Sequence, residues 1–223
     1  YRAAKLADVN EKLADNEATE FIKEYPDGNR WVQLRQPDVE SGINSLQEAL
    51  TYEGDQMGHC VGDYCEDVST GDTLIYSLRD KSGGPHVTIE AAYTIPDEIK
   101  TAFWEEAVAL ADRQSRQHRN FNFSNFIIDH SRNLGSNWLD DNREDAPLSI
   151  DQVKGKQNLK PNEKYSEQVQ DFILSLQDQR PVIISEYDLE NTDLVDTTRL
   201  THHYGQHALA GGKRYITRDM YDK

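Results

Sequence analysis

The residues of this chain best suited to chemistry crowd into "GHCVGDYCEDVSTG", residues 58 to 71, which holds both cysteines, Cys60 and Cys65, with His59 beside the first. A cysteine attacks as its thiolate, which a helix N-terminus stabilises and a nearby imidazole generates by taking the proton. The stretch after Gly58 is expected to be a helix that carries Cys60, Tyr64 and Val68 on one face and stops at Gly71, so Cys60 would lie in its first turn. His86, opening a later strand, is the candidate base. Asp151 or Gln152 on a following strand would orient the imidazole, with alternation turning only one of them inward. Gln56, in "QMGHC", would form an oxyanion hole with the Cys60 backbone N–H. Helix with cysteine, then strand with histidine, then strand with a polar residue is the order of papain-like thiol hydrolases. The competing use is structural: cysteine is among the most buried residue types, and His86 after Pro85 equally well closes a hairpin loop.

Other chemistries fit less well. His59, Cys60, Cys65 and His86 are zinc-ligand types, but adjacent ligands seldom turn to one ion and Cys65 lies off the helical face of Cys60. His203 and His207 in "THHYGQH", with His202 beside them, lack the intervening glutamate of a zincin. "KGKQN" lacks the glycine run and the terminal hydroxyl of a phosphate loop. Neither metal nor cofactor is expected. Arg79, Glu90, Lys156 and Asn158 form a polar set with two uses. They surround one cleft for an anionic or amide ligand, or Arg79 and Glu90 form a buried ion pair across a hairpin.

The elements that must position these groups are readable in outline. "YRAAKLADVNEKLADNEATEFIKEY" spaces Leu6, Val9, Leu13, Phe21 and Ile22 as a helix up to the "PDG" turn, and "RWVQL" is a short strand. "SLQEALTYEGDQM" is a helix; "TLIYSLRD", "KSGG" and "PHVTIEAAYTI" make a hairpin. Residues 97 to 147 are an insertion: a helix on Ile99, Phe103, Ala107 and Leu110, then a polar, Asn-rich connection. "LSIDQVKGKQN" is a strand running into a glycine turn, and "EKYSEQVQDFILSLQ" is a helix. The expected fold is α+β, a small mainly antiparallel sheet packed by helices. Residues 1–56 wrap a core of 57–180, and 181–223 extend it.

Across the 223 residues, 40 Asp and Glu outweigh 24 Lys and Arg, for a net charge of −16. Such a surface repels phosphate backbones, so duplex nucleic acid is not an expected partner; no apolar run is long enough to span a bilayer, so neither is a membrane. A protein or peptide partner fits better, and the inserted helix with Phe103 and Trp104 would serve docking. The start at Tyr1 suggests a piece of a longer polypeptide.

"MGHCVGDY", "IYSLRD", "PHVTIE" and "IDQVKGKQN", in this order over residues 57 to 158, resemble the PcfJ-like proteins of conjugative elements and phages. The resemblance implies a compact α/β domain of mobile-element origin, located in the host cytoplasm or the virion and embedded in a larger phage protein. It marks Cys60, Arg79, Glu90, Gln152, Gly155, Lys156 and Asn158 as matched positions, and in that family the position of His86 is not always histidine. The expected function is a thiol hydrolase acting on a peptide or isopeptide-type amide; the alternative is a noncatalytic binding or structural module.

Overall fold

The structure, a computed structural model, describes residues 16–39, 41–118, 121–200 and 214–221. The chain divides into two compact units, residues 1–92 with 149–223, and residues 93–148.

The first unit is built on a six-stranded, mostly antiparallel sheet whose spatial order follows the chain: β1 (Thr19–Glu24), β2 (Arg30–Leu34), β3 (Leu74–Arg79), β4 (Pro85–Tyr93), β5 (Leu148–Lys154) and β6 (Val182–Ile184). The fold is α+β. β1 and β2 pair antiparallel through a turn in which Gly28 takes φ +84°, a conformation that only glycine adopts freely. Phe21 and Ile22 therefore belong to a strand rather than to the expected helix: Phe21 pairs with Val32 and Ile22 is the bulged residue before Lys23 pairs with Trp31, and this pairing of β1 with β2 outweighs the helical spacing of the preceding segment; Leu6, Val9 and Leu13 lie outside the described residues. The sheet continues from β2 into β3 across the boundary expected near residue 56.

Alternation gives the sheet two faces. On one, Trp31 stacks on Phe172 at 4.3 Å between ring centres and Tyr76 meets the same ring edge-on, docking helix α5 (Ser166–Gln177). Trp31 Nε1–H donates to the Gln168 carbonyl at 3.2 Å, so this fully buried indole leaves no polar atom unpaired. On the other face Val32, Leu34 and Ile75 pack under Leu46, Ala49 and Leu50 of helix α1 (Gly42–Met57), with Val61 and Val68 from the following turns. Helix α2 is Cys65–Thr70. A small second sheet pairs β7 (Leu194–Asp196) with β8 (Tyr215–Thr217), after helix α6 (Glu186–Thr192).

The second unit contains two helices, α3 (Asp97–Ser115) and α4 (Phe123–Asn142). Ala107, Ala111 and Ile127 form its core, with Val108, Phe121 and Phe126 against it. The polar connection expected after residue 120 is thus a full helix. Its start is fixed by the Asn122 side chain, which accepts the Asn125 N–H, and Ile127, Leu134 and Trp138 recur on its less exposed side. Abundant Asn and Ser hid that spacing.

Candidate functional site

The Cys60 loop begins where α1 ends. Gly58 caps the helix at φ +73°, and its N–H bonds to the Gly54 carbonyl at 2.7 Å. His59 is extended, and Cys60–Asp63 form a single 3-10 turn, closed against α1 by Gln47 Nε2–H donating to the Gly62 carbonyl at 3.0 Å. A Cβ on Gly54 would stand 2.9 Å from the His59 carbonyl oxygen, so glycine at 54 is what lets the turn lie on the helix. Cys60 is therefore not in the first turn of an α-helix as expected. The helix is split at Tyr64, and the dipole of a longer helix does not act on the thiol.

The opposing wall comes from β5 and the turn after it. Gly155 N–H donates to the Leu159 carbonyl at 2.7 Å, and between them Gln157 and Asn158 both adopt the left-handed conformation, at φ +60° and +59°. Two consecutive non-glycine residues there store backbone strain, a feature that clusters at functional sites. A Cβ on Gly155 would meet the Lys160 carbonyl oxygen and Pro161 Cα at 3.0 Å.

Between these walls is a cleft of about 220 Å³. The Cys60 turn lines it with His59, Cys60, Val61 and Tyr64; β4 supplies Thr88 and Glu90; β5 and its turn supply Gln152, Lys154 and Asn158. Cys60 is exposed. Burial and repulsion by Asp151, Asp188 and Asp67 push the Glu90 carboxyl above its usual range, against the opposing hydrogen bond from the Tyr64 hydroxyl. Burial, then Glu90 and Cys60, push Tyr64 up. Burial holds His59 below its usual value, with Glu53 opposing, so the imidazole is neutral at pH 7; its Nε2 is buried without a hydrogen-bond partner. Lys154 Nζ donates to Asp188 at 2.7 Å. Burial raises the Asp188 pKa, but bonds from Lys154, the Val153 N–H and Asn191 outweigh it and hold that carboxyl low.

Beneath the cleft, Glu53 of α1 is fully buried and accepts from Ser77 Oγ at 2.9 Å, Thr88 Oγ1 at 2.7 Å and Arg79 Nη2 at 3.2 Å. The pair expected between Arg79 and Glu90 is therefore replaced by Arg79 with Glu53. The helix over the sheet brings its own carboxylate down to the guanidinium, and Glu90 is left to Tyr64.

His86 does not line the cleft. Register slips between Leu78 and Arg79, so that Leu78 faces Val87 and Arg79 faces Pro85, leaving His86 as the extra residue of a bulge, which re-aims its side chain. Its Nε2 lies 3.0 Å from Asp80 Oδ2 and its ring stacks on Tyr165. Asp80 also accepts from Ser82 and Gly84 and so organises the hairpin loop. Of the other expected site residues, Gln152, Glu90 and Asn158 share the cleft with Cys60. Asp151 is exposed and bonded to Ser149 Oγ, Lys156 is exposed, Gln56 is half-buried outside the lining, and Arg79 is buried below. His59, Tyr64, Thr88 and Lys154 were not singled out for the cleft from sequence, nor was Glu53 for its floor. Alternation from Glu90 points to Thr88 and from Gln152 to Lys154; no local pattern marks Glu53.

Among the described residues no group of three His, Cys, Asp or Glu is arranged to hold a metal ion, and no helix is long and apolar enough to cross a membrane. His202, His203 and His207 lie outside the described residues. No family model matches the chain, and no curated protein matches it.

Proposed function

We propose that the chain is a PcfJ-like domain of a phage or mobile-element protein, working in the host cytoplasm or the virion, and that its cleft is a thiol-hydrolase site for a peptide or isopeptide-type amide. One observation carries this reading: three of the four stretches that resemble that family, distant in sequence, line a single cleft around an exposed cysteine. Cys60 is the nucleophile. We assign the base to His59 in place of His86 because it lines the cleft and is held below its usual pKa, whereas His86 is held by Asp80; its buried Nε2 has no hydrogen-bond partner, the Cys60 thiol included, so the His59 ring must turn toward the sulfur to take the proton. The thiol proton passes to His59, sulfur bonds to the amide carbon, and the Cys60 backbone N–H faces the developing oxyanion.

The test is intact-mass detection of an acyl adduct after acid-quenched incubation with a panel of peptide and isopeptide amides. An adduct is expected on the parent protein and on His86→Ala, absent from Cys60→Ala, and at least tenfold slower to form on His59→Ala. No adduct from any amide, or one that survives Cys60→Ala, contradicts the reading.

A noncatalytic binding module is the second reading. It is favoured by Trp104, Phe123 and Ile128 standing exposed on the helical unit, where a protein partner would cover them.

A further inference from the structure

We infer that Glu90 makes this cleft a seat for a primary ammonium group, so that the amide opened at Cys60 is one whose leaving group is a compact primary amine or ammonia. The part concerning cleavage rests on the hydrolase reading; the ammonium seat does not.

The charges inside the cleft are unbalanced in one direction. Lys154 is the cation in the lining, and its ammonium is already given to Asp188 at 2.7 Å. Arg79, below the floor, is given to Glu53. His59 is neutral. Glu90 has the Tyr64 hydroxyl but no basic partner among the described residues, and Asp151, Asp188 and Asp67 add to the negative potential it feels. A carboxylate or phosphate is repelled from such a site, and a cation supplies the missing partner. The neutral lining narrows the class. Gln152 and Asn158 each carry a side-chain carbonyl that can accept from an ammonium beside the Glu90 carboxylate. The volume, equal to roughly seven water molecules, holds one short chain end and not a folded surface.

The seat also fits the bond changes. The Cys60 proton moves to His59, sulfur bonds to carbon, and the tetrahedral intermediate expels the amine as the C–N bond breaks and His59 returns the proton. Water then adds to the thioester, the C–S bond breaks and the thiol is restored. The product acid gives its proton to the amine, so amide and water become carboxylate and ammonium. Glu90 holds the ammonium, and the acidic cleft expels the carboxylate.

The experiment follows backbone amide shifts by NMR in Cys60→Ala protein, with methylammonium chloride, ammonium chloride and sodium acetate as probes and potassium chloride as the ionic-strength control. Saturable shifts at residues 90, 152 and 158 are expected with methylammonium or ammonium and not with acetate. Glu90→Gln, nearly isosteric, is expected to weaken binding at least tenfold, and Glu90→Asp to retain part of it. Tighter binding of methylammonium points to an amine such as a lysine side chain as leaving group; tighter binding of ammonium points to a primary carboxamide. Acetate binding as well as the cations, no saturable shift with either cation, or unchanged affinity in Glu90→Gln overturns the inference. Because the nucleophile is absent, these outcomes are independent of whether Cys60 forms an acyl adduct.

Discussion

Glu53 and Glu90 lie on the same side of one sheet and contrast in almost every respect. Glu53 is fully buried, with Arg79, Ser77 and Thr88 donating to its two oxygens. Glu90 opens into a cleft, keeps one hydroxyl partner and is pushed up by burial and by surrounding carboxylates. The first holds helix α1 to the sheet. The second is left with capacity to bind, and the contrast separates a carboxylate that builds the fold from one that serves a site.

Four substitutions sharpen or break that contrast. Glu53→Ala takes the carboxylate from the buried Arg79 guanidinium, and a loss of about 3–5 kcal/mol in urea unfolding is expected; a loss below about 1 kcal/mol would show that Glu53 does not hold the helix. Asp188→Ala removes the acceptor of Lys154 and of the Val153 N–H, at a cost of about 2–3 kcal/mol. It also frees a lysine in the cleft that Glu90 lines and removes a carboxylate that repels Glu90, so methylammonium should bind more weakly; unchanged binding would separate Lys154 and Asp188 from the cleft's electrostatics. Gln157→Gly relieves one left-handed residue and should raise stability by up to about 1 kcal/mol, read as a higher melting temperature.

Glu90→Gln should have the smallest effect on stability, confined to one side of the pH range. Because the folded-state pKa of Glu90 lies above its ordinary 4.5, the folded chain binds that proton more tightly than the unfolded chain. The resulting stability is fully present below pH 4.5 and lost as pH rises through the raised value. Urea midpoints of Glu90→Gln should therefore exceed those of the parent at pH 8 and converge with them near pH 4. Lower midpoints at pH 8 would mean that Glu90 is a structural acid like Glu53.

The hairpin of β3 and β4, the strand at 148–154 and the helices near 45–57 and 163–177 were legible because their periodicities are plain and their ends carry turn residues. Cys60 and Gln152 were legible as one candidate set and Glu90 and Asn158 as another; that the four line a single cleft comes from the structure. The position of His86 outside the cleft lining was not legible because strand alternation assumes continuous register, and a one-residue bulge at the hairpin mouth is invisible to that rule. Glu53 was missed because its partners lie 24 to 35 residues away, across a helix–sheet contact that no local pattern encodes. The split at Tyr64 was missed for a similar reason: the stretch reads as one helix until Gly54 and Gly62 bring the turn against α1.

The most direct measurement on the central claim is the rate of Cys60 alkylation by iodoacetamide between pH 5 and 9, in a Cys65→Ser background that leaves one thiol. Rapid labelling of the folded protein near pH 7 that falls at least tenfold in His59→Ala and is unchanged in His86→Ala is the expected result. Equal rates in all three proteins, or labelling only after unfolding, would contradict a nucleophilic Cys60 served by His59.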